Sequence, residues 1–315
     1  MNFQQMNIIE KPEVYIQKAL RELGKRRKVK SQDVRKRLKL EDLQKIRIFK
    51  EVLYNELQKI IKSFPSFDTL DIFYRELINS QIRIDDIKKE ISKLSWIRQK
   101  LIKLFKDYNN RMLYTDSLVE VKKIQKEFLG RASSLLKNSK DTFTFLENCR
   151  KLMKKFPLIK TKMKTICISG FPNVGKSTLL KKLTGANVEI QPYAFTTKTL
   201  LLGYIKKKLQ VIDTPGTLNR FDKMNSIEKQ AYLAIKYLAD KVIYVFDVTE
   251  TCGYEIGSQL ELFKRLKEEF KDKEIIVYIS KADLLSQEQI DSFYSSLKDQ
   301  KVFHDTDLLK DYITP

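Results

Sequence analysis

Gly170-Phe171-Pro172-Asn173-Val174-Gly175-Lys176-Ser177 is the stretch that decides the fold. It is a complete G-x-x-x-x-G-K-S, placed between the β-branched run Thr165 to Ser169 and the helix-forming segment Thr178 to Leu183. That context predicts strand, phosphate loop and helix in succession. The glycines let the backbone curl so that its N–H groups point at phosphate oxygens, and the positive end of the following helix adds to that field. The candidate phosphate-binding residues are therefore Gly170, Asn173, Val174, Gly175, Lys176, Ser177 and Thr178. Lys176 is expected to reach the β and γ phosphates, and Ser177 to offer its hydroxyl to Mg²⁺.

Working outward, Asp213-Thr214-Pro215-Gly216 follows a second apolar run, Leu209 to Ile212. Read alone it is a turn, since Asp, Pro and Gly all favour turns. After a phosphate loop it reads as the second switch, with Asp213 acting on Mg²⁺ through a water or the second coordination sphere and the Gly216 amide touching the γ-phosphate. Between the two lies Gln191-Pro192-Tyr193-Ala194-Phe195-Thr196-Thr197, from which Thr197 is the expected Mg²⁺ and γ-phosphate sensor. The competing reading is that both threonines simply begin the strand Lys198 to Ile205. Lys176, Thr197 and Gly216 are thus the candidate catalytic residues. Ser280-Lys281-Ala282-Asp283 ends the run Glu274 to Ile279, at the carboxyl edge where open α/β sheets bind ligands. Asp283 can accept two hydrogen bonds from guanine N1–H and N2, a pattern adenine lacks, while Lys281 lays its stem along the base. The implied cofactors are GTP or GDP with Mg²⁺, and an ATPase reading conflicts with Asp283.

The remainder of the chain is punctuated differently. Up to residue 163 the only glycines and prolines are Gly24, Gly130, Pro12, Pro65 and Pro157, so long helices are expected there. Ile87, Ile91, Leu94, Ile97, Leu101 and Phe105 recur at three- or four-residue steps and trace one helical stripe. The break at Phe64-Pro65-Ser66 offers Asp68 as the cap of the next helix. From Thr165 short β-branched runs alternate with helices, including Val242 to Phe246. The expected architecture is an α/β P-loop domain at 164–315, with a mostly parallel sheet and helices on both faces, preceded by an all-α bundle at 1–163.

Composition narrows the function classes. His304 is the only histidine, which removes catalytic triads and His-rich metal centres. Cys149, Cys167 and Cys252 are odd in number and scattered, so a disulfide framework is not expected and buried thiols are. No apolar stretch is long enough to span a bilayer and the start lacks a signal-peptide pattern, so a cytoplasmic, monomeric protein is expected. Lys and Arg total 61 against 40 acids, a formal charge of +21 that suits a polyanionic partner. Nine of those bases crowd Lys25 to Lys39 around a single acid, Asp33. RNA phosphate contact is the preferred reading of that segment, over a merely solvated face. Phe73, Tyr74 and Trp96 are the kind of rings that stack on bases, but within helices they read as core.

The wording between the motifs resembles the Obg-related nucleolar GTP-binding protein family. Gly170-Phe171-Pro172-Asn173, Tyr193-Ala194-Phe195-Thr196-Thr197-Lys198 and Phe246-Asp247-Val248-Thr249-Glu250-Thr251-Cys252-Gly253-Tyr254 look like that family's segments. So do Phe64-Pro65-Ser66-Phe67-Asp68, Phe73-Tyr74-Arg75-Glu76-Leu77-Ile78, Ser95-Trp96-Ile97-Arg98 and Glu127-Phe128-Leu129-Gly130-Arg131-Ala132-Ser133-Ser134 of the helical half. The resemblance implies a GTP-hydrolysing switch in large ribosomal subunit assembly, docking on rRNA or the precursor particle through the basic helical half. It also implies a short archaeal-type member, because the eukaryotic proteins carry a long C-terminal extension. By the same resemblance Asn173 can help hold K⁺ beside the phosphates. Three departures stand out. Ser280 replaces the usual Asn, the S-A-K loop is not recognisable in Tyr294 to Asp305, which leaves Val302 to His304 as its approximate location, and Thr217 stands where some GTPases have a water-orienting Gln. These keep open a second reading, an RNA-binding scaffold with little turnover.

Overall fold

The computed structural model describes residues 3–25, 32–185, 188–192, 199–214, 224, 226–297 and 300–314. They divide into two compact units, one of residues 2–70 and 82–154, the other of 71–81 and 155–315. Membership in the second unit of residues 71–81, a piece of the half expected to be one bundle, is the main organisational feature absent from the sequence pattern.

The first unit is helical. Its helices are α1 (Pro12–Leu23) and α2 (Val34–Ser63) and, after the excursion of α3 (Ile72–Asn79) into the other unit, α4 (Ile84–Tyr114), α5 (Leu118–Lys137) and α6 (Lys140–Met153). Pro12 opens α1 at a position whose N–H has no helical partner anyway. The Asp33 carboxylate caps α2 by accepting the Arg35 and Lys36 N–H groups, and Ser117 caps α5 through Glu120. Ile87, Leu94, Ile97 and Leu101 of the expected stripe are buried. Phe128 of α5 sits at the centre, 6.4 Å from Phe49, 6.3 Å from Phe105 and 5.9 Å from Tyr108 by ring centroids. Each such ring removes enough apolar area from water to be worth about 2–3 kcal/mol.

Two expectations fail here. Asp68 does not cap a helix: its carboxylate pairs with Lys88 at 2.6 Å, and Asp71, three residues later, accepts the Phe73 N–H at the start of α3. Local chemistry suits either aspartate; burial of Phe73, Tyr74, Leu77 and Ile78 sets the later start. Phe73 and Tyr74 are core, as expected, but Trp96 is 52% exposed with the Lys100 ammonium over its ring.

The second unit is a seven-stranded sheet among the described residues. Its strands are β1 (Lys164–Ser169), β2 (Val188–Pro192), β3 (Thr199–Ile205), β4 (Leu209–Asp213), β5 (Lys241–Phe246), β6 (Glu274–Ile279) and β7 (Lys301–Phe303). The order is β2-β3-β4-β1-β5-β6-β7. All neighbours from β4 to β7 are parallel, and β3 alone runs against the others, antiparallel to both β2 and β4. The central strands are buried along nearly their whole length, as continuous β-branched runs require when both faces are covered. From β1 the chain runs through α7 (Lys176–Thr184) to the edge strand β2 and comes back through β3 to β4, then passes β1 to reach β5 through α8 (Ser226–Leu238). It continues outward through α9 (Ile256–Glu269) and α10 (Gln287–Ser296). Right-handed crossovers in opposite directions put α7 on one face and α8 to α10 on the other. The last helix, α11 (Thr306–Ile313), packs on α7. Helix α3 packs on α8, and Tyr74 pins the entry to β1: its hydroxyl accepts the Ile159 N–H at 2.8 Å and donates to the Pro157 carbonyl at 2.9 Å.

Candidate functional site

The carboxyl ends of the parallel strands bring most of the expected residues together. Gly170, just after β1, has φ of +140°, and a Cβ there would lie 2.6 Å from the Val245 carbonyl oxygen of β5. Only glycine permits that approach. Gly175 begins α7 at φ +95°, and a Cβ on it would meet the Ser280 side chain at 3.4 Å. Asn173 between them also has positive φ, at 62°. The Lys176 side chain is 7% exposed and its ammonium donates to the Phe171 carbonyl at 2.6 Å. Burial pulls its pKa below the usual lysine value, opposed by the nearby Asp213 carboxylate. An ammonium kept this dry, with one carbonyl for company, is poised for a stronger anion.

Asp213 ends β4, and its Oδ2 accepts the Ser177 hydroxyl in a short hydrogen bond. The other oxygen, Oδ1, is buried and has no hydrogen-bond partner among the described residues. Burial raises the Asp213 pKa, opposed by the Ser177 bond and by Lys176. A hydroxyl and a carboxylate side by side, with one buried lone-pair site unsatisfied, fit a hydrated hard cation such as Mg²⁺. Thr214 fastens the segment to β1, both its N–H and its hydroxyl donating to the Ile168 carbonyl at 3.0 and 2.7 Å. Thr197, Gly216 and Thr217 lie outside the described residues, as do Arg26, Arg27, Lys28 and Lys30 of the basic segment.

The base segment follows β6. Ser280 is 6% exposed, and both its N–H and its hydroxyl donate to the Phe246 carbonyl at 2.9 and 3.0 Å. Its side chain thus secures the end of β5 against β6 and abuts Gly175. Lys281 has φ of +51° and sends its ammonium to Asp247 Oδ2 and the Thr251 hydroxyl, both at 2.6 Å. Asp283 is exposed in a short helical turn, Ala282–Leu284, and makes no hydrogen bond or ion pair to a described residue, so its two oxygens are open to donors. Val302 and Phe303 end β7 beside β6, and His304 follows with its Nδ1 2.9 Å from the Tyr294 hydroxyl.

Sequence reasoning gave Asp247 no role of its own, yet it organises this side of the site. Its side chain is fully buried and accepts from Lys281, the Thr249 N–H and hydroxyl, the Thr251 hydroxyl and the Cys252 N–H at 2.8 Å. Burial opposes ionisation, but Lys281 and the hydroxyls win and hold the carboxyl below its usual pKa. Gln259, fully buried on α9, clamps the backbone of Asp247 by donating to its carbonyl and accepting its N–H, both at 2.9 Å. A glutamine on the inward face of a helix was the one signal available. Tyr254 closes the loop onto the phosphate segment, its ring centroid 4.4 Å from that of Phe171.

Sequence relatives place the chain in a family. The NOG1 N-terminal helical domain matches residues 3–160, and the Nucleolar GTP-binding protein 1 (NOG1) model matches residues 226–283. An uncharacterized protein of Methanocaldococcus jannaschii is 40% identical over 247 residues, which is 78% of this chain and 70% of that one. Nucleolar GTP-binding protein 1 of Drosophila melanogaster is 38% identical over 250 residues, 78% of this chain and 38% of that protein. Its counterpart in Kluyveromyces lactis is 34% identical over 261 residues, 82% of this chain and 41% of that protein. The chain therefore spans about two-fifths of the length of these two eukaryotic relatives. A helical-domain match across half of the sequence, joined to relatives of this identity, makes the chain a member of the nucleolar GTP-binding protein 1 (NOG1) family.

Proposed function

We propose that the unit carrying the sheet binds and hydrolyses GTP, and that the protein acts as a nucleotide-controlled switch in assembly of the large ribosomal subunit. The observation that carries this reading is the desolvated Lys176 ammonium beside the Ser177–Asp213 pair with its unsatisfied carboxylate oxygen. Gly170, Asn173, Val174, Gly175 and Thr178 supply backbone around the phosphates, and Lys176 carries charge to the β and γ positions. Ser177 and Asp213 would hold Mg²⁺, with Thr197 and Gly216 as the γ-phosphate sensors. The ion, when bound, neutralises charge developing on the phosphate oxygens. Asp283 reads guanine, Lys281 flanks the base and Ser280 supports the loop. Asn173 is the candidate K⁺ ligand. With Thr217 in place of a water-orienting glutamine, unaided hydrolysis is slow and awaits K⁺ or the ribosomal particle. The basic helical unit, residues 2–70 and 82–154, docks on rRNA, while the unit of residues 71–81 and 155–315 binds the nucleotide in a cytoplasmic monomer.

A second reading, an RNA-binding scaffold with weak turnover, is favoured by one observation: the Ser280 hydroxyl is spent on the Phe246 carbonyl, leaving no amide for the base. Binding of labelled GTP, GDP and ATP to the wild type, Lys176→Ala and Asp283→Ala tests the first reading. Guanine-selective binding lost in both variants supports it, and absence of guanine selectivity overturns it. Stimulation of hydrolysis by ribosomal particles then separates switch from scaffold.

A further inference from the structure

The opposite, amino edge of the sheet carries a second charged surface. Lys164, Lys241 and Lys301 begin β1, β5 and β7 there, and Glu274 begins β6. On one half of this edge charge is compensated: Glu274 pairs with Lys241 at 3.0 Å and Lys301 at 2.8 Å. On the other half Lys160, Lys162, Lys164, Lys206, Lys207 and Lys208 are all exposed, and none forms an ion pair with a described residue. They are neighbours. The Lys160 N–H donates to the Gln210 side chain at 3.2 Å, Lys164 registers with Leu209, and the Lys160 ammonium sits 4.4 Å from the Tyr204 ring centroid. Lys160, Tyr204, Lys206 and Lys207 line one cleft of about 800 Å³ together with a single acid, Glu189, whose carboxylate accepts the Tyr204 hydroxyl, so the lysines outnumber it three to one.

Backbone strain marks the same place independently. Among the described residues, the non-glycine positions with positive φ are Asn173, Glu250 and Lys281, all in loops of the nucleotide site, and the adjacent pair Lys206 and Lys207 at 49° and 57°. Those two are the central residues of the β3–β4 turn, closed by the Lys208 N–H on the Ile205 carbonyl. Such a turn prefers Asn-Gly, and left-handed conformation is costly for lysine. Strain of this kind collects where function holds it. What two lysines supply there, and Asn-Gly cannot, is charge.

We propose that this lysine edge is a contact surface for the phosphate backbone of RNA, additional to the Lys25–Lys39 segment and independent of the nucleotide site. Closely spaced ammonium groups facing solvent suit a regular array of phosphates. An anionic membrane fits less well, because Val188 is the only aliphatic side chain lining the cleft.

The test is the double variant Lys206→Asn/Lys207→Gly of the full chain, beside Lys301→Gln from the compensated half. Binding of a fluorescein-labelled RNA hairpin is followed by anisotropy across a KCl series, with pelleting on phosphatidylserine vesicles in parallel. The double variant should bind the hairpin about tenfold more weakly, and its slope of log K against log salt should fall by roughly 1.4 to 1.8 for two lost contacts. Its thermal midpoint should rise, because the turn is relieved of strain, which separates loss of charge from loss of fold. Lys301→Gln should leave RNA binding unchanged, and the slope remaining in the double variant sums the contacts of Lys160, Lys162, Lys164 and Lys208 with those of the Lys25–Lys39 segment. Unchanged affinity and slope in the double variant would overturn the proposal, as would equal weakening by Lys301→Gln. A loss confined to vesicle binding would assign the surface to lipid instead.

Discussion

The two edges of one sheet treat charge in opposite ways. At the carboxyl edge Lys176, Asp213 and Asp247 are withdrawn from water and held by one or a few fixed partners. At the amino edge the lysines stand in solvent, and the principal carboxylate, Glu274, is part-exposed between two ammonium groups and the Tyr312 hydroxyl. Coulomb energy at a given distance is several-fold larger where water is excluded. Single groups at the first edge should therefore carry large effects, while at the second only sums of weak contacts matter.

The sharpest break of that comparison is Lys176→Ala. The variant should lose at least about 100-fold in GTP affinity, roughly 2.7 kcal/mol, by fluorescence titration. Its nucleotide-free thermal midpoint should hold or rise, because a desolvated cation has been removed. A fall in the midpoint would mean that Lys176 is structural. Next comes Asp247→Asn. The amide places N–H groups among donors, so about 2 kcal/mol of stability should be lost by urea denaturation, with guanine affinity down about tenfold as Lys281 loses its anchor. Intact affinity with reduced stability would confine Asp247 to shaping its own loop.

What could be read in advance follows the same division. The phosphate loop was legible because its backbone demands glycine at fixed places, and Gly170 against the Val245 carbonyl is that demand made physical. The β-branched runs gave β1, β4, β5 and β6 to within a residue at either end. Asp247 was opaque because its partners arrive from positions 249, 251, 252 and 281, on two loops that only the closed sheet brings together. The fate of residues 71–81 was hidden too: Phe73 and Tyr74 mark a buried helix but not which core buries it. Trp96 went the other way, since a ring at helical spacing says nothing of which side faces a neighbour.

Smaller effects should mark the path toward the amino edge. A Cβ on Gly203 of β3 would come within 2.5 Å of the Thr184 side chain at the end of α7. Gly203→Ala should therefore cost about 1.5 kcal/mol in urea denaturation while GTP affinity stays within a factor of two. A larger loss of affinity would show that the end of α7 transmits strain to its phosphate-binding start.

The smallest effect belongs to Glu274. Hydrogen bonds from Lys301 and Tyr312, with Lys241 adding charge, hold its pKa down at about 2, against an ordinary value of 4.5. A carboxyl whose folded pKa is depressed stabilises the fold above the unfolded value and loses that contribution as pH falls through the folded one. Stability drawn from Glu274 should thus be complete above about pH 5 and disappear toward pH 2. Because the group is one-third exposed, solvent screening reduces its worth to about 1 kcal/mol. Glu274→Gln should therefore lower the neutral-pH urea midpoint slightly and flatten the acid limb of stability against pH between 5 and 2. It should also weaken with added salt, whereas the loss in Asp247→Asn, whose carboxylate is shielded from water, should not. Equal salt sensitivity of the two would erase the contrast in dielectric between the edges on which the ordering of these effects rests.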